Sequence, residues 1–311
     1  MSEFVSEFVS DPVHLRLLEN PGILWQRAIA QTQHALSCGA LLSIPTTHEF
    51  IEQAGAKFLV RTVTNLIRKE VSDLKQKQEE IATGKPINPF LPYDRDLFVV
   101  DISDTHVCLL NKFNVADHHL LIITRAFEEQ EALLTLGDFA ALGACLAEVD
   151  GLAFYNAGSV AGASQRHKHL QLVPFPFVEG IRLPIDPLVN AVNSTDRITT
   201  IPEFPFVHAF TKLDRIDTAE QLLKRYWELL EAVEINSNQI MQSAPYNFLA
   251  TREWMMIVPR SQAEYSAIAV NSLAFAGALL VRNSEQLETL KQLRPLNFLK
   301  NVAIASSSSA G

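Results

Sequence analysis

The sequence is short of basic residues: 26 Lys and Arg stand against 35 Asp and Glu, a formal net charge of -9 over 311 residues. A nucleic-acid groove needs a cationic face to neutralise phosphates, so nucleic acid is not an expected partner. A small anion can still be held by a few local cations. Cysteine is scarce too. Cys38, Cys108 and Cys145 are far apart, show no CxxC spacing and leave one thiol over in any disulfide scheme. A reducing, cytoplasmic setting is the expectation. The amino terminus, MSEFVSEFVSDP, has no basic region before an apolar run, so no secretory signal is read there. Long apolar runs are also missing. The stretch from Ile268 to Val281 is interrupted by Asn271, Ser272 and Gly277 and is too short to span a bilayer, so no membrane partner is expected.

What is present suits a sizeable core: 48% of the residues are hydrophobic, and the length allows one large or two moderate domains. Residues 11–38 read as helix, with Asp11 as N-cap, Pro12 at the first helical position and a break at Pro21 and Gly22. Lys57 to Arg61 has strand character. Lys69 to Gly84, charged and poor in large apolar residues, reads as a solvated helix or loop. The runs Leu97 to Ile102, His106 to Leu110 and Leu120 to Thr124 predict an antiparallel meander. A helix over 137–149 follows, then strands at Leu152 to Asn156 and His169 to Val173. Residues 181–205, with four prolines and a polar patch, read as a linker. Beyond it come a helix over 218–233 and a hairpin made of Tyr246 to Leu249 and Trp254 to Val258. The tail Ser306 to Gly311 is low in complexity and expected to be disordered.

The segment Asn156 to Gln171 carries the chemistry. Its small residues let the backbone approach a ligand, and it delivers a strand on which His167, His169 and Gln171 face one way. A neutral imidazole there can attack phosphorus if its other nitrogen is held by an acceptor. Gln171 and Ser164 can bond non-bridging oxygens without protonating the nucleophile. On spacing alone, two histidines at alternate strand positions fit a metal pair or an exposed polar face as well. A zinc site needs further ligands; the cysteines lie outside any ligand spacing, while His118, His119 and His208 stay open as candidates.

The run Ser-Gln-Arg-His-Lys-His-Leu-Gln at 164–171 resembles the motif of the ATP adenylyltransferases, also called diadenosine tetraphosphate phosphorylases, in the transferase branch of the histidine-triad superfamily. Gln171 stands where simpler triad hydrolases have a third His. Upstream, Leu110 to Val115 and His119 to Thr124 resemble the same family, as do Tyr246 to Trp254 and Val258 to Arg260 downstream. The resemblance covers most of the chain and is looser before Lys57. It departs at Arg252, where the family often has Lys, and at Arg166; both keep or add positive charge.

The resemblance implies an α+β fold of antiparallel sheets with flanking helices, histidine-triad-like, with two related halves in one chain. Residues 1–180 would form the catalytic domain, 181–205 a linker and 206–311 the C-terminal ATP adenylyltransferase domain. It implies a reversible nucleotidyltransferase that phosphorolyses diadenosine tetraphosphate to ATP and ADP through an adenylyl-histidine, with these nucleotides and phosphate as its partners. His169 is the implied nucleophile, His167 supplies the carbonyl that holds its tautomer, and Gln171 bonds phosphate oxygens. Asn156, Gly158, Ser164 and Gln165 are implied near the transferred phosphoryl group, and Asn111 near ribose or base. Lys57 and Arg252, with Thr251 beside it, are candidates for the distal phosphates, since long cations offset polyphosphate charge. His119 sits at the edge of the site or serves structure. Magnesium or another divalent cation is expected only as a companion of the nucleotide, with no metal ligands in the protein and no organic cofactor. Two rival readings are a sugar-1-phosphate nucleotidyltransferase using the same histidine and a dinucleotide sensor without turnover.

Overall fold

The computed structural model describes residues 14–63, 88–214 and 217–306. The expected Asp11 cap, the polar segment 69–84 and the tail beyond Ser306 lie outside the described residues. In chain order the elements are α1 (Ile23–Cys38), β1 (Thr46–Gln53), β2 (Ala56–Val63), β3 (Phe98–Asp101), β4 (His106–Leu110), β5 (Leu120–Thr124), α2 (Leu136–Glu148), β6 (Gly151–Ala157), β7 (His169–Pro174), α3 (Asp186–Asn190), β8 (Ala209–Lys212), α4 (Ala219–Ala232), β9 (Tyr246–Ala250), β10 (Trp254–Pro259), β11 (Glu264–Tyr265), β12 (Ile268–Ala269), α5 (Ser272–Phe275), β13 (Ala278–Val281), α6 (Ser284–Leu293) and α7 (Pro295–Lys300). The fold is α+β, built on antiparallel strands with flanking helices. No helix among the described residues is long and apolar enough to cross a membrane.

One eight-stranded sheet, in the order β3-β4-β5-β7-β6-β9-β10-β8, organises the molecule. The meander β3-β4-β5 forms as its alternating runs predict, and every neighbouring pair of the sheet is antiparallel. The sheet passes without a break from the first half of the chain to the second through β6 and β9, where Asn156 lies opposite Asn247. Its two faces bury different clusters because side chains alternate along each strand. Leu170 and Leu172 point to the face covered by α2 and α4, whereas Val173, Phe154 and Leu249 point to the other. Both helices start on capping boxes, Thr135 with Asp138 and Thr218 with Gln221, each satisfying N–H groups that the first turn leaves open.

On the second face sits a smaller sheet in which β2 pairs antiparallel with β1 and parallel with β13. The segment expected as a linker is packed: it contains α3, and Leu183, Ile185, Leu188, Val189, Ile201 and Phe204 are buried in the second-face core. Its prolines mark turns within that layer; they do not mark an exposed tether.

Candidate active site

β7 begins at His169, so His169, Gln171 and Val173 share one face of the sheet while Leu170 and Leu172 anchor the other. The imidazole of His169 is 4% exposed. Its Nδ1–H donates to the carbonyl of His167 at 2.8 Å, which leaves Nε2 unprotonated. That Nε2 has no hydrogen-bond partner among the described residues. Burial holds the His169 pKa down to about 4, against the lesser pull upward of the His167 carbonyl. The ring is therefore neutral at pH 7, with a free lone pair.

His167 is disposed differently. Its Nε2–H donates to the Thr124 carbonyl at 2.7 Å, and its Nδ1 accepts from the Asn88 amide at 2.9 Å. Both ring nitrogens are thus occupied, and the two rings cannot exchange roles. Phe90 covers both histidines, with ring centroids 5.6 Å from His167 and 5.4 Å from His169.

Neutral amides share the sheet face of His169. Asn156 comes level with His169 when the β6–β7 register is continued two residues past its last pair, Phe154 and Gln171. Its Oδ1 accepts from Asn247 Nδ2, Ser272 N and Ser272 Oγ at 2.9, 2.9 and 2.7 Å, which fixes the amide orientation. Its Nδ2 has no partner among the described residues and stays a donor on the His169 face. The second half of the chain holds this group: Arg260 donates to Asn247 Oδ1 at 2.7 Å and to the Ala161 carbonyl at 3.2 Å. This explains why Asn247 and Arg260 fall within the downstream motif without touching β7.

Gln171 lies beside His119, whose pKa burial lowers to about 4. His119 Nδ1 is 3.3 Å from the Asn111 amide, and its buried Nε2 makes no hydrogen bond of normal geometry with a described residue. Asn111 is committed to this ring and, through Oδ1, to the Phe113 N–H. By the β4–β5 register it lies opposite His119, on the face that carries Gln171 and His169.

The loop from Gly158 to Gln165 enters the site because its glycines allow it. Gly158 has φ +83°, and a Cβ there would meet Glu131 at 2.9 Å; Gly162 has φ +94°, and a Cβ would lie 2.4 Å from the Val270 carbonyl. The loop carries exposed Ser164 to the rim of a hollow of about 440 Å³, which is also lined by Val173, Asn271, Arg61 and Arg282. Among the described residues two arginines and no carboxylate line it. Arg61 is half-buried and bonds the Phe177 carbonyl at 2.9 Å, while the Arg282 side chain has no partner among the described residues. The lining shares Ser164 and Val173 with the loop and strand of the site but does not include His169 itself, and its arginines suit an anion.

Three expected contacts are not brought to His169. Lys57 is at the tip of the β1–β2 hairpin, largely exposed, 3.7 Å from Glu52. Thr251 and Arg252 form the β9–β10 turn, where the Thr251 Oγ accepts from Glu253 N–H. Arg252 donates to the Leu146 and Ala147 carbonyls at the end of α2, on the helix-covered face. β9 runs from Asn247, level with Asn156, to Ala250, three residues or about 10 Å further from the nucleophile. Arg252 therefore caps a helix, and the arginines that line the hollow are Arg61 and Arg282.

Sequence reading missed Gln130. Its Nε2 donates to the carbonyls of Asn156 and His169 at 2.9 and 3.2 Å, and its Oε1 accepts from His169 N–H at 2.9 Å. It bridges β6 and β7 where they part, from a loop with no periodicity to betray it. Among the described residues one group could hold a metal ion, His34, Cys38 and Asp96, whose ligand atoms lie within 4.8 Å of one another. It is exposed, its His34 and Asp96 already bond each other at 2.8 Å, and none of its members belongs to the His169 site.

Comparison with known proteins bears on the whole chain. Residues 14–191 match the family described as Ap4A phosphorylase N-terminal domain, and residues 202–305 match that described as ATP adenylyltransferase C-terminal domain. Diadenosine 5',5'''-P1,P4-tetraphosphate phosphorylase 2 of Saccharomyces cerevisiae is 28% identical over 249 residues, 70% of this chain and 76% of that protein. Protein APA1 of the same yeast is 27% identical over 198 residues, 57% of this chain and 61% of its own. The crystal structure of yeast Ap4A phosphorylase Apa2 in complex with Ap4A superimposes with a TM-score of 0.76 at 22% identity, covering 96% of this chain and all of that one. Its complex with AMP gives 0.75. At that identity the superposition establishes the fold.

Proposed function

The chain belongs to the family of Ap4A phosphorylases and ATP adenylyltransferases, and from that premise we propose that it cleaves diadenosine tetraphosphate by phosphorolysis, giving ATP and ADP through an adenylyl group carried on His169. The observation that carries this reading is the state of the His169 ring: Nδ1–H latched to the His167 carbonyl, Nε2 unprotonated, neutral and open. The tetraphosphate-binding yeast relatives supply the substrate class.

In the first step the Nε2 lone pair forms a bond to the α-phosphorus, and the bond from that phosphorus to the bridging oxygen breaks. ATP leaves with the electron pair and needs no proton at neutral pH. The Nδ1 proton stays in place, and the His167 carbonyl stabilises the positive charge that develops on the ring. In the second step an oxygen of inorganic phosphate attacks the same phosphorus, the P–N bond breaks, and ADP forms with the imidazole restored. The Asn156 amide and Gln171 are neutral donors suited to the non-bridging oxygens, where a charged acid would protonate the nucleophile. Arg61 and Arg282 offset the distal phosphates. Among the described residues no carboxylate lines the hollow, and these residues do not fit a resident divalent cation; magnesium would travel with the nucleotide, and no step depends on it here.

Product analysis tests the reading. Diadenosine tetraphosphate with phosphate is expected to yield equal ATP and ADP, and without phosphate no more ATP than enzyme. Sustained release of ATP and AMP without phosphate would make the protein a hydrolase instead.

A further inference from the structure

The mechanism leaves unused a lysine lying between the two histidines. Alternation along the strand sends Lys168 to the opposite side of the sheet, where it is 0% exposed beneath α2. Burying an ammonium costs several kcal/mol unless it is fully paired. All three of its donors are used: Asp138 Oδ2 at 2.6 Å, Glu128 Oε2 at 3.1 Å and the Leu133 carbonyl at 3.1 Å. Asp138 is in turn held by Thr135 and by His106 Nε2 at 3.1 Å. Burial draws the Lys168 pKa down, but the two carboxylates outweigh it and hold it above its ordinary value, so the charge stays.

The backbone links this cluster to the nucleophile. The carbonyl that latches His169 and the N–H of Lys168 belong to one planar peptide unit, so fixing one fixes the other. That N–H donates to the Glu128 carbonyl at 2.8 Å, while the carboxylate of the same Glu128 accepts from the Lys168 ammonium. On the far side of Lys168, its carbonyl accepts from Thr124 N–H at 3.3 Å. The latch carbonyl thus has no freedom to rotate away while the ammonium is held. We propose that Lys168 is a positioning residue: paired with Asp138 and Glu128 behind the sheet, it fixes the His167 peptide so that His169 keeps its Nδ1–H tautomer and presents Nε2 to phosphorus. A buried ion cluster adds little stability over well-packed apolar residues of similar volume. Its benefit therefore lies in geometry, where a small misplacement of a reacting atom costs roughly 100-fold in rate.

This inference rests on His169 as the nucleophile, and its test separates the two. The variants are Lys168→Met, and Lys168→Met combined with Asp138→Asn, which leaves no buried charge unpaired. Nitrogen-15 NMR reads the His169 tautomer, and steady-state kinetics read kcat and KM with diadenosine tetraphosphate and phosphate. The expected result for the double variant is a folded protein with mixed His169 tautomers, kcat lower by roughly 10- to 100-fold and KM within about twofold. A folded double variant with the wild-type tautomer and wild-type kcat, altered only in thermal midpoint, overturns the proposal. Because the tautomer is read without turnover, it judges Lys168 even if His169→Ala were to stay active and the nucleophile reading failed.

Discussion

His169 and His208 make the same contact: each donates Nδ1–H to the carbonyl two residues earlier, at 2.8 Å in both cases, and burial brings each pKa to about 4. They differ at the other nitrogen. Ile201 N–H donates to His208 Nε2 at 2.7 Å, so its lone pair is spent on the fold, whereas that of His169 is open. A latched imidazole is thus not sufficient for nucleophilic chemistry; the second nitrogen has to be left without a donor.

This contrast predicts opposite outcomes for two alanine variants. His169→Ala should lower kcat by at least about 1,000-fold and leave the thermal midpoint near wild type. His208→Ala strands the Ile201 N–H in the core, so it should cost about 1–3 kcal/mol of stability with kcat retained in the folded fraction. His167→Ala should fall between them, since the carbonyl that latches His169 belongs to the backbone. Chemical denaturation and steady-state assays check all three, and an active His169→Ala would remove the assignment.

The cations predict a division between binding and stability. Arg282→Ala should raise KM for the tetraphosphate by roughly tenfold with kcat little changed, as loss of a charge-assisted phosphate contact would. Arg252→Ala should instead lower stability by about 1 kcal/mol, through the uncapped carbonyls of α2, with KM unchanged. The reverse pattern would return Arg252 to the site.

Proton linkage sets the pH behaviour. An ordinary imidazole titrates near 6.5, but His169 is held to about 4, so single-turnover adenylyl transfer should hold its rate down through pH 6 and fall only as the pH approaches 4. Stability should move sooner. Between 4 and 6.5 the unfolded chain carries protons on His119, His169 and His208 that the folded chain does not bind, so stability rises with pH across that window and is lost as acid is added. Each ring contributes at most about 3 kcal/mol. A denaturant midpoint no lower at pH 5 than at pH 7 would contradict this.

Much of the site was readable because alternation and small-residue spacing are local. His169 and Gln171 fall on one face, Asn156 lines up with them, and Gly158 turns as its lack of a side chain permits. The meander, the helix after it and the hairpin of β9 and β10 were equally plain, since each buries a regular apolar pattern. What escaped notice depends on long-range pairing. β1 is polar and mostly exposed, and β13 becomes a strand only by lying parallel to β2, so neither has a pattern of its own. Lys57 stands out by its charge, and Arg252 by its charge and its place in a stretch that resembles the family, and neither says which face of a sheet a turn reaches. Arg282 follows an apolar run, and only the pairing of β13 with β2 brings it to the hollow. Gln130 gave no signal at all.

The covalent step is the centre of the account, and trapping it is the most direct test. With diadenosine tetraphosphate labelled in the adenylyl group and phosphate withheld, wild-type protein should retain up to one label per chain, and His169→Ala none. A phosphoramidate loses its group when its nitrogen is protonated, so the label should survive mild alkali, leave in acid, and be discharged as ADP when phosphate is added. Rapid phosphorolysis by a protein that never becomes labelled in a single turnover would contradict the account, since phosphate would then attack the dinucleotide directly.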